Sequence, residues 1–178
     1  MEFIEEILEL LSSRGSALYL GEAVTQREHA LQSAQLAATS GAADALITAA
    51  LLHDIAYLIR ADTGHHEEEG SRWLSQYFGP EVTEPVRLHV AAKRYLCTVS
   101  PSYQQLLSSA SILSLERQGG LLKTEELRDF ETSRFHADAI QLRMWDDCAK
   151  VPHLAVPGPE RYLSILLRIS KQLGNRIE

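Results

Sequence analysis

The sequence predicts an all-α protein, a compact bundle of helices forming a single domain over residues 1–178. Three observations carry this reading. Apolar residues recur at three- and four-residue spacing along most of the chain, and no stretch alternates apolar and polar as a half-buried strand does. Helix-start and helix-stop signals cut the chain into segments of ordinary helical length. At 178 residues, with no repeat and no low-complexity linker, the chain can bury one substantial core.

The elements follow in order. Phe3, Ile4, Ile7, Leu8 and Leu11 form a first apolar stripe, closed by Gly15. The stretch SALYLGEAV reads as a loop. Thr25 with Glu28 three residues later is a capping box that opens a second helix, ending at Gly41. A third helix covers residues 44–59 and contains AALLHDIAYLI. RADTGHHEEEG begins as a loop and enters a fourth helix through Trp73, Leu74 and Phe78, stopped by Gly79-Pro80, with residues 67–69 as a solvated acidic face. TEPVRLHVAAKRYL is the fifth. Ser100-Pro101 pairs an N-cap with a proline at the first helical position and starts a sixth, through Leu106, Leu107, Ile112 and Leu115, broken by Gly119-Gly120. A short acidic segment at 125–130, a longer helix at 134–149 and a last helix at 162–173 complete the chain.

Composition narrows the partners. A hydrophobic content of 45% and a charged content of 23% are those of a soluble globular protein. The net charge of −7 comes with no basic tract to displace counterions from phosphates, so no nucleic-acid partner is expected. No apolar run approaches the roughly 18 residues of a membrane span, and the acidic start MEFIEEILELL is unlike a signal peptide, so no membrane partner is expected. Cys97 and Cys148 have no metal-ligand spacing, and a reducing cytoplasm is the expected location. The sequence leaves the oligomeric state open.

The run AALLHDIAYLI raises the functional question, because it sets His53 and Asp54 in an apolar helix. Burying an unpaired carboxylate costs about several kcal/mol, so a partner is required. His29, His66, His89 and Asp146 lie in similarly apolar contexts. Singly, each is more often a hydrogen-bonded boundary residue than a ligand. Together, four imidazoles and two carboxylates drawn from five helices match the dinuclear sites that bundle cores build. Adjacent helical residues project about 100° apart, so His53 and Asp54 could serve one metal from two sides, or Asp54 could bridge a pair. Imidazole with carboxylate suits iron, zinc or manganese.

The series His29, His53-Asp54, Asp146 resembles the H…HD…D signature of the HD-domain superfamily, an all-α metal-dependent fold, over nearly the whole chain. His66 and His89 resemble the two extra histidines of its dinuclear members. YLGE at 19–22, HVAAKRYL with Lys93 and LRMWDDCAK with Arg143 resemble the mixed-valent diiron oxygenases of that fold. These include inositol oxygenase and the enzymes that cleave the carbon–phosphorus bond of hydroxylated aminophosphonates, and the likeness is closer to the phosphonate branch.

The resemblance implies an HD-type bundle holding two iron ions as an Fe(II)/Fe(III) pair. His29, His53 and Asp146 would hold one, His66 and His89 the other, with Asp54 bridging; Asp147 and His65 stay in competition with Asp146 and His66. It further implies that Tyr19 occupies a coordination position at rest, that Glu22 meets a substrate ammonium, and that Lys93, Ser111 and Arg143 hold a phosphonate. Roughly −2 of carboxylate charge against about +5 on the iron pair leaves a surplus that favours such an anion. Tyr57 stands where amine-substrate members can carry a histidine; its ring could face an alkylated ammonium by cation–π attraction, or sit in the core.

The implied reaction uses dioxygen to cleave a 1-hydroxy-2-(amino or trimethylammonio)ethylphosphonate to phosphate and glycine or glycine betaine, in organophosphonate catabolism and phosphate acquisition. The amine stays open between primary and quaternary. Two alternatives stand beside it, a metal-dependent HD phosphohydrolase acting on a nucleotide or phosphate ester, and a degenerate HD domain that only binds ligand.

Overall fold

The first apolar stripe folds as helix α1 (Glu2–Glu9), which buries Ile4 and Ile7 and runs on as one π-helical turn, Leu10–Arg14. Gly15 ends it for lack of space rather than for a left-handed cap. Its φ is −69°, and a Cβ there would sit 2.2 Å from the Leu11 carbonyl oxygen and 2.7 Å from Arg27 Cβ. A computed structural model describes residues 2–60 and 64–174, with side chains from 3 to 170 in those spans. Part of the loop expected before His66, at 61–63, lies outside the described residues, as do both ends of the expected domain.

Helix α2 (Gln26–Thr39) opens on the expected box. Glu28 N donates to Thr25 Oγ1 at 3.1 Å, and Thr25 N donates to Glu28 Oε2 at 2.7 Å. Between α1 and α2 the YLGE loop is a pinned hairpin, not a slack connection. An isolated bridge joins Leu18 to Thr25, Tyr19 N donates to Val24 O at 2.8 Å, and Leu20 and Gly21 make the turn at φ 37° and 86°.

The expected third helix is two helices. Helix α3 (Asp44–Leu52) and α4 (Ile55–Ile59) part at the His53-Asp54 pair, where Asp54 takes φ −105° and ψ 17°. An unbroken helix would splay the two side chains; the break lets His53 Nε2 and Asp54 Oδ2 approach to 3.5 Å. Helix α5 (His66–Leu74) starts at His66 and stops short of Phe78, which packs into the core from the following turn. Gly79-Pro80 is a start rather than a stop, with Pro80 at the first position of α6 (Pro80–Val99).

The sixth expected helix is also divided, into α7 (Pro101–Gln104) and α8 (Ser109–Arg117), the latter capped by Ser108, whose hydroxyl accepts from Ser111 N. Helices α9 (Thr124–Thr132), α10 (His136–Cys148) and α11 (Leu163–Gly174) complete the bundle, and no strand occurs among the described residues.

Helix α6 is the central column, packed against α10, α5 and α3, while α2 lies against α3 and α10. The main core joins Ile7, Leu11, Leu51, Leu52, Leu74, Phe78, Leu142 and Leu166. Each such side chain contributes about 1.5–3 kcal/mol on burial. Smaller cores sit under α9, through Leu88, Phe130 and Phe135, and under α7 and α8, through Tyr103, Leu107 and Leu115. The four helices α2, α3, α6 and α10 are thereby held as rigid walls, and the ionisable residues lie between them.

Candidate metal centre and substrate cavity

Helix α2 presents His29 one turn after its cap, the α3–α4 break presents His53 and Asp54, α5 presents His66 from its first turn, α6 presents His89 and α10 presents Asp146. All six are buried. They fall into two groups, His29 with His53 and Asp146, and Asp54 with His66 and His89; within each, one ligating atom per residue lies within 4.8 Å of the others. Asp54 faces both groups. Its Oδ2 is 3.5 Å from His53 Nε2 and 3.8 Å from His29 Nε2, and its Oδ1 is 3.4 Å from His66 Nε2 and 3.7 Å from His89 Nε2.

These atoms fit a pair of cations. His29, His53 and His89 place Nδ1 against the carbonyls of Ala149, Ala50 and Val86 at 2.9, 2.9 and 2.7 Å. A carbonyl only accepts, so each of these rings carries its proton on Nδ1 and turns a bare Nε2 inward. The Nε2 atoms of His29 and His53 are then two lone pairs facing each other at 3.1 Å, which repel without a cation between them. Both oxygens of Asp54 and Oδ1 of Asp146 are buried with no hydrogen-bond partner. A buried orphaned carboxylate is costly unless a positive charge meets it.

Protonation points the same way. Burial pushes His53 down, and burial with the neighbouring His66 pushes His89 down to about 3, so both stay neutral. Burial alone would raise Asp54 and Asp146. The surrounding imidazoles outweigh it at Asp54 and Arg143 outweighs it at Asp146, so both carboxyls are held well below the usual range. Neutral imidazole with ionised carboxylate is the state that binds metal.

The two positional alternatives differ in what their side chains face. Asp146 faces His29 at 3.4 Å, whereas Asp147 turns to Tyr103 and Arg143. His66 is buried in the centre, while the His65 side chain is 76% exposed.

A cavity of about 690 Å³ opens onto the centre and is lined by Tyr19, Glu22, Tyr57, Lys93, Ser111 and Arg143, all expected from the sequence, together with Lys150. Tyr19 stacks on the His29 ring at 3.8 Å and 14°. Burial, then the charges of Asp146 and Asp54, raise its phenol well above the usual value, so it is neutral. Lys93 Nζ donates to Ser114 Oγ at 2.7 Å, and burial followed by Arg143 pushes it down to about 8. Arg143 is less free than expected, because its guanidinium donates to Asp146 Oδ2 at 2.7 Å and is clasped by Asp147. Tyr57 meets His66 Nδ1 at 3.0 Å as well as lining the cavity.

Sequence reasoning gave two side chains here no part in the site. Lys150 donates to Ser111 Oγ at 2.9 Å and lies 3.7 Å from Glu22, whose Oε1 also accepts from Ser108 Oγ at 2.5 Å. Its one available signal was a helical turn of spacing from Asp146. Glu67, expected on a solvated face, instead tucks its side chain in beside His66 with Oε2 buried.

An all-helical bundle with two buried histidine–carboxylate groups beneath a cation-walled cavity defines a class, that of helical bundles with a candidate metal centre in the core. The HD-domain family model matches residues 27–133, which takes in His29, His53, Asp54, His66 and His89; Asp146 joins them through the fold. Hydroxymethylphosphonate dioxygenase of Gimesia maris is 46% identical over 90% of this chain and 85% of its own length. The glycine-betaine-forming [1-hydroxy-2-(trimethylamino)ethyl]phosphonate dioxygenase of Leisingera caerulea is 37% identical over 96% of this chain and 92% of its own. The protein belongs to the HD-domain family, in the branch that contains these oxygenases.

Proposed function

We propose that the protein is a diiron oxygenase that uses dioxygen to cleave the carbon–phosphorus bond of a small 1-hydroxyalkylphosphonate, releasing phosphate and a carboxylic acid. What carries this reading is the position of Asp54, one oxygen toward each histidine pair at the floor of a cavity walled by Lys93, Arg143 and Lys150. Both relatives bear the names of dioxygenases acting on 1-hydroxylated phosphonates. His29, His53 and Asp146 would hold one iron and His66 and His89 the other, with Asp54 between them; bound there, the pair supplies the redox chemistry for dioxygen.

The chain's own groups do the rest. Lys93, the uncommitted N–H groups of Arg143, and the Ser111 hydroxyl with Lys150 behind it receive the phosphonate dianion and orient its C1 toward the centre. Tyr19, stacked on His29 and neutral, shields that side of the centre until substrate enters. The substrate's second carbon is where the two named relatives differ. A trimethylammonium or primary ammonium, giving glycine betaine or glycine, would need Glu22 to leave Ser108 and Lys150; a hydroxymethyl substrate would not. Tyr57, which lines the cavity, would face such an ammonium.

We place the protein in the cytoplasm as a single HD domain, a location that the free thiols of Cys97 and Cys148 support; no described helix is long and apolar enough to cross a membrane. The test is phosphate release by iron-loaded protein from hydroxymethylphosphonate and from the 2-amino and 2-trimethylammonio 1-hydroxyethylphosphonates, with and without air. Release that needs air supports the proposal. Equal release without air, or release only from nucleotides and phosphate esters, would support the phosphohydrolase alternative.

A further inference from the structure

Three of the four imidazoles at the metal centre are held from behind by main-chain carbonyls, those of Ala149, Ala50 and Val86. The fourth, His66, faces side chains instead. Its Nδ1 lies 3.0 Å from the Tyr57 hydroxyl and 3.3 Å from Glu67 Oε2. The Tyr57 ring also stacks on the imidazole at 4.7 Å and 23°, which fixes the plane of the ring. Glu67 belongs to an acidic run whose next member, Glu68, is exposed, yet the Glu67 side chain is only 13% exposed and its Oε2 is buried with no hydrogen-bond partner. Desolvating a carboxylate oxygen beside a ring nitrogen is unfavourable unless that nitrogen carries a proton and positive charge develops on the ring.

We propose that Glu67, together with Tyr57, is a positioning residue that keeps the proton of His66 on Nδ1 and makes its Nε2 a stronger donor than the other three imidazoles, so that the two metal positions are electronically unequal. The inference rests on the dinuclear reading of the site. With Nε2 on a metal, Nδ1–H donates to the Tyr57 hydroxyl and the Glu67 carboxylate lies behind it. A carboxylate behind a ligating imidazole raises its basicity, whereas a neutral carbonyl does so less. The position formed by Asp54, His66 and His89 therefore holds its ion more tightly than a carbonyl-backed one would, and favours the higher oxidation state of iron.

The test reads metal binding and redox behaviour rather than turnover. Full-length wild type, Glu67→Gln, Glu67→Asp, Tyr57→Phe and the exposed control Glu68→Gln are titrated with Zn(II) against a competing chelator. The iron-loaded forms are then poised over a range of potentials and followed by electron paramagnetic resonance. Glu67→Gln should weaken one of the two bound ions about tenfold or more, leave the other unchanged, and raise the potential at which the mixed-valent signal disappears. Glu67→Asp should recover part of both effects. Tyr57→Phe, which keeps the stacked ring, should move both in the same direction by less. Wild-type affinities and potential in Glu67→Gln would overturn the inference while leaving the dinuclear site intact, as would an equal shift in Glu68→Gln. A wild type that binds one ion alone would overturn the dinuclear reading itself, and this inference with it.

Discussion

At the floor of the cavity, His29, His53 and His89 are anchored by main-chain carbonyls at the end of α10, in α3 and in α6, whereas at the rim Glu22, Ser108, Ser111 and Lys150 hold one another side chain to side chain. The difference separates what the fold dictates from what it permits. A carbonyl-anchored ligand keeps its aim as long as its helix stays packed, because the anchor belongs to no exchangeable side chain. A rim made of mutual side-chain contacts can be rewired by one substitution while the helices remain in place. The two relatives' names share a hydroxyl on the carbon that bears phosphorus and differ in whether a second, trimethylamino-bearing carbon follows it, which fits a fixed floor under a variable rim.

The sharpest break in that comparison is Asp54→Ala. Among the described residues Asp54 is the one carboxylate facing both histidine pairs, so its loss should empty both metal positions and abolish dioxygen-dependent phosphate release, as metal analysis and turnover would show. One retained iron with measurable turnover would mean that the pairs are independent. Arg143→Ala comes next, and belongs to the floor despite lining the cavity. Removing the guanidinium leaves Asp146 and Asp147 without their shared partner, at a cost of about 3–5 kcal/mol for breaking a buried pair. The melting temperature and the metal content should fall together; a variant with only a raised KM would move Arg143 to the rim.

Lys93→Ala is expected to spare the metals and weaken substrate binding. A charge-assisted hydrogen bond is worth about 1.5–3 kcal/mol, so apparent affinity should drop roughly ten- to a hundredfold. The pH profile carries the same claim. Lys93 sits at about 8, lowered by burial and then by Arg143, so the free enzyme loses this cation as pH rises through that value, and kcat/KM should fall there. In Lys93→Arg the fall should move to much higher pH, since guanidinium does not titrate in the range. Glu22→Gln is the mildest change. It removes the rim carboxylate that Ser108 and Lys150 now hold, and should shift the preference between ammonium-bearing and ammonium-free substrates several-fold, about 1 kcal/mol or less, with metal content unchanged.

The floor was legible in the sequence because its residues violate their surroundings. His53 and Asp54 in AALLHDIAYLI, and His89 in VRLHVAAKRYL, are ionisable groups where the helical pattern demands apolar ones. The capping box at Thr25 was legible for a local reason, since both of its hydrogen bonds are made within four residues. The break between α3 and α4 left no such trace. Apolar periodicity runs straight through to Ile55, Leu58 and Ile59, and the turn at Asp54, which brings its carboxylate to His53, leaves that pattern unbroken. The divided α7 and α8 were hidden in the same way by Leu106 and Leu107, which continue the apolar stripe although the chain turns there. Glu67 was masked by its own neighbours, because one buried carboxylate in an acidic run looks like the exposed ones beside it. Lys150 was masked because its partners Ser111 and Glu22 are 39 and 128 residues away along the chain.

The measurement that bears most directly on the central claim is the ratio of dioxygen consumed to phosphate released by the iron-loaded protein with hydroxymethylphosphonate. An oxygenase that takes all its electrons from the substrate should consume one dioxygen for each phosphate, with no added reductant, and fall silent when the iron is replaced by zinc. Phosphate released without dioxygen uptake, and undiminished in the zinc form, would contradict the account.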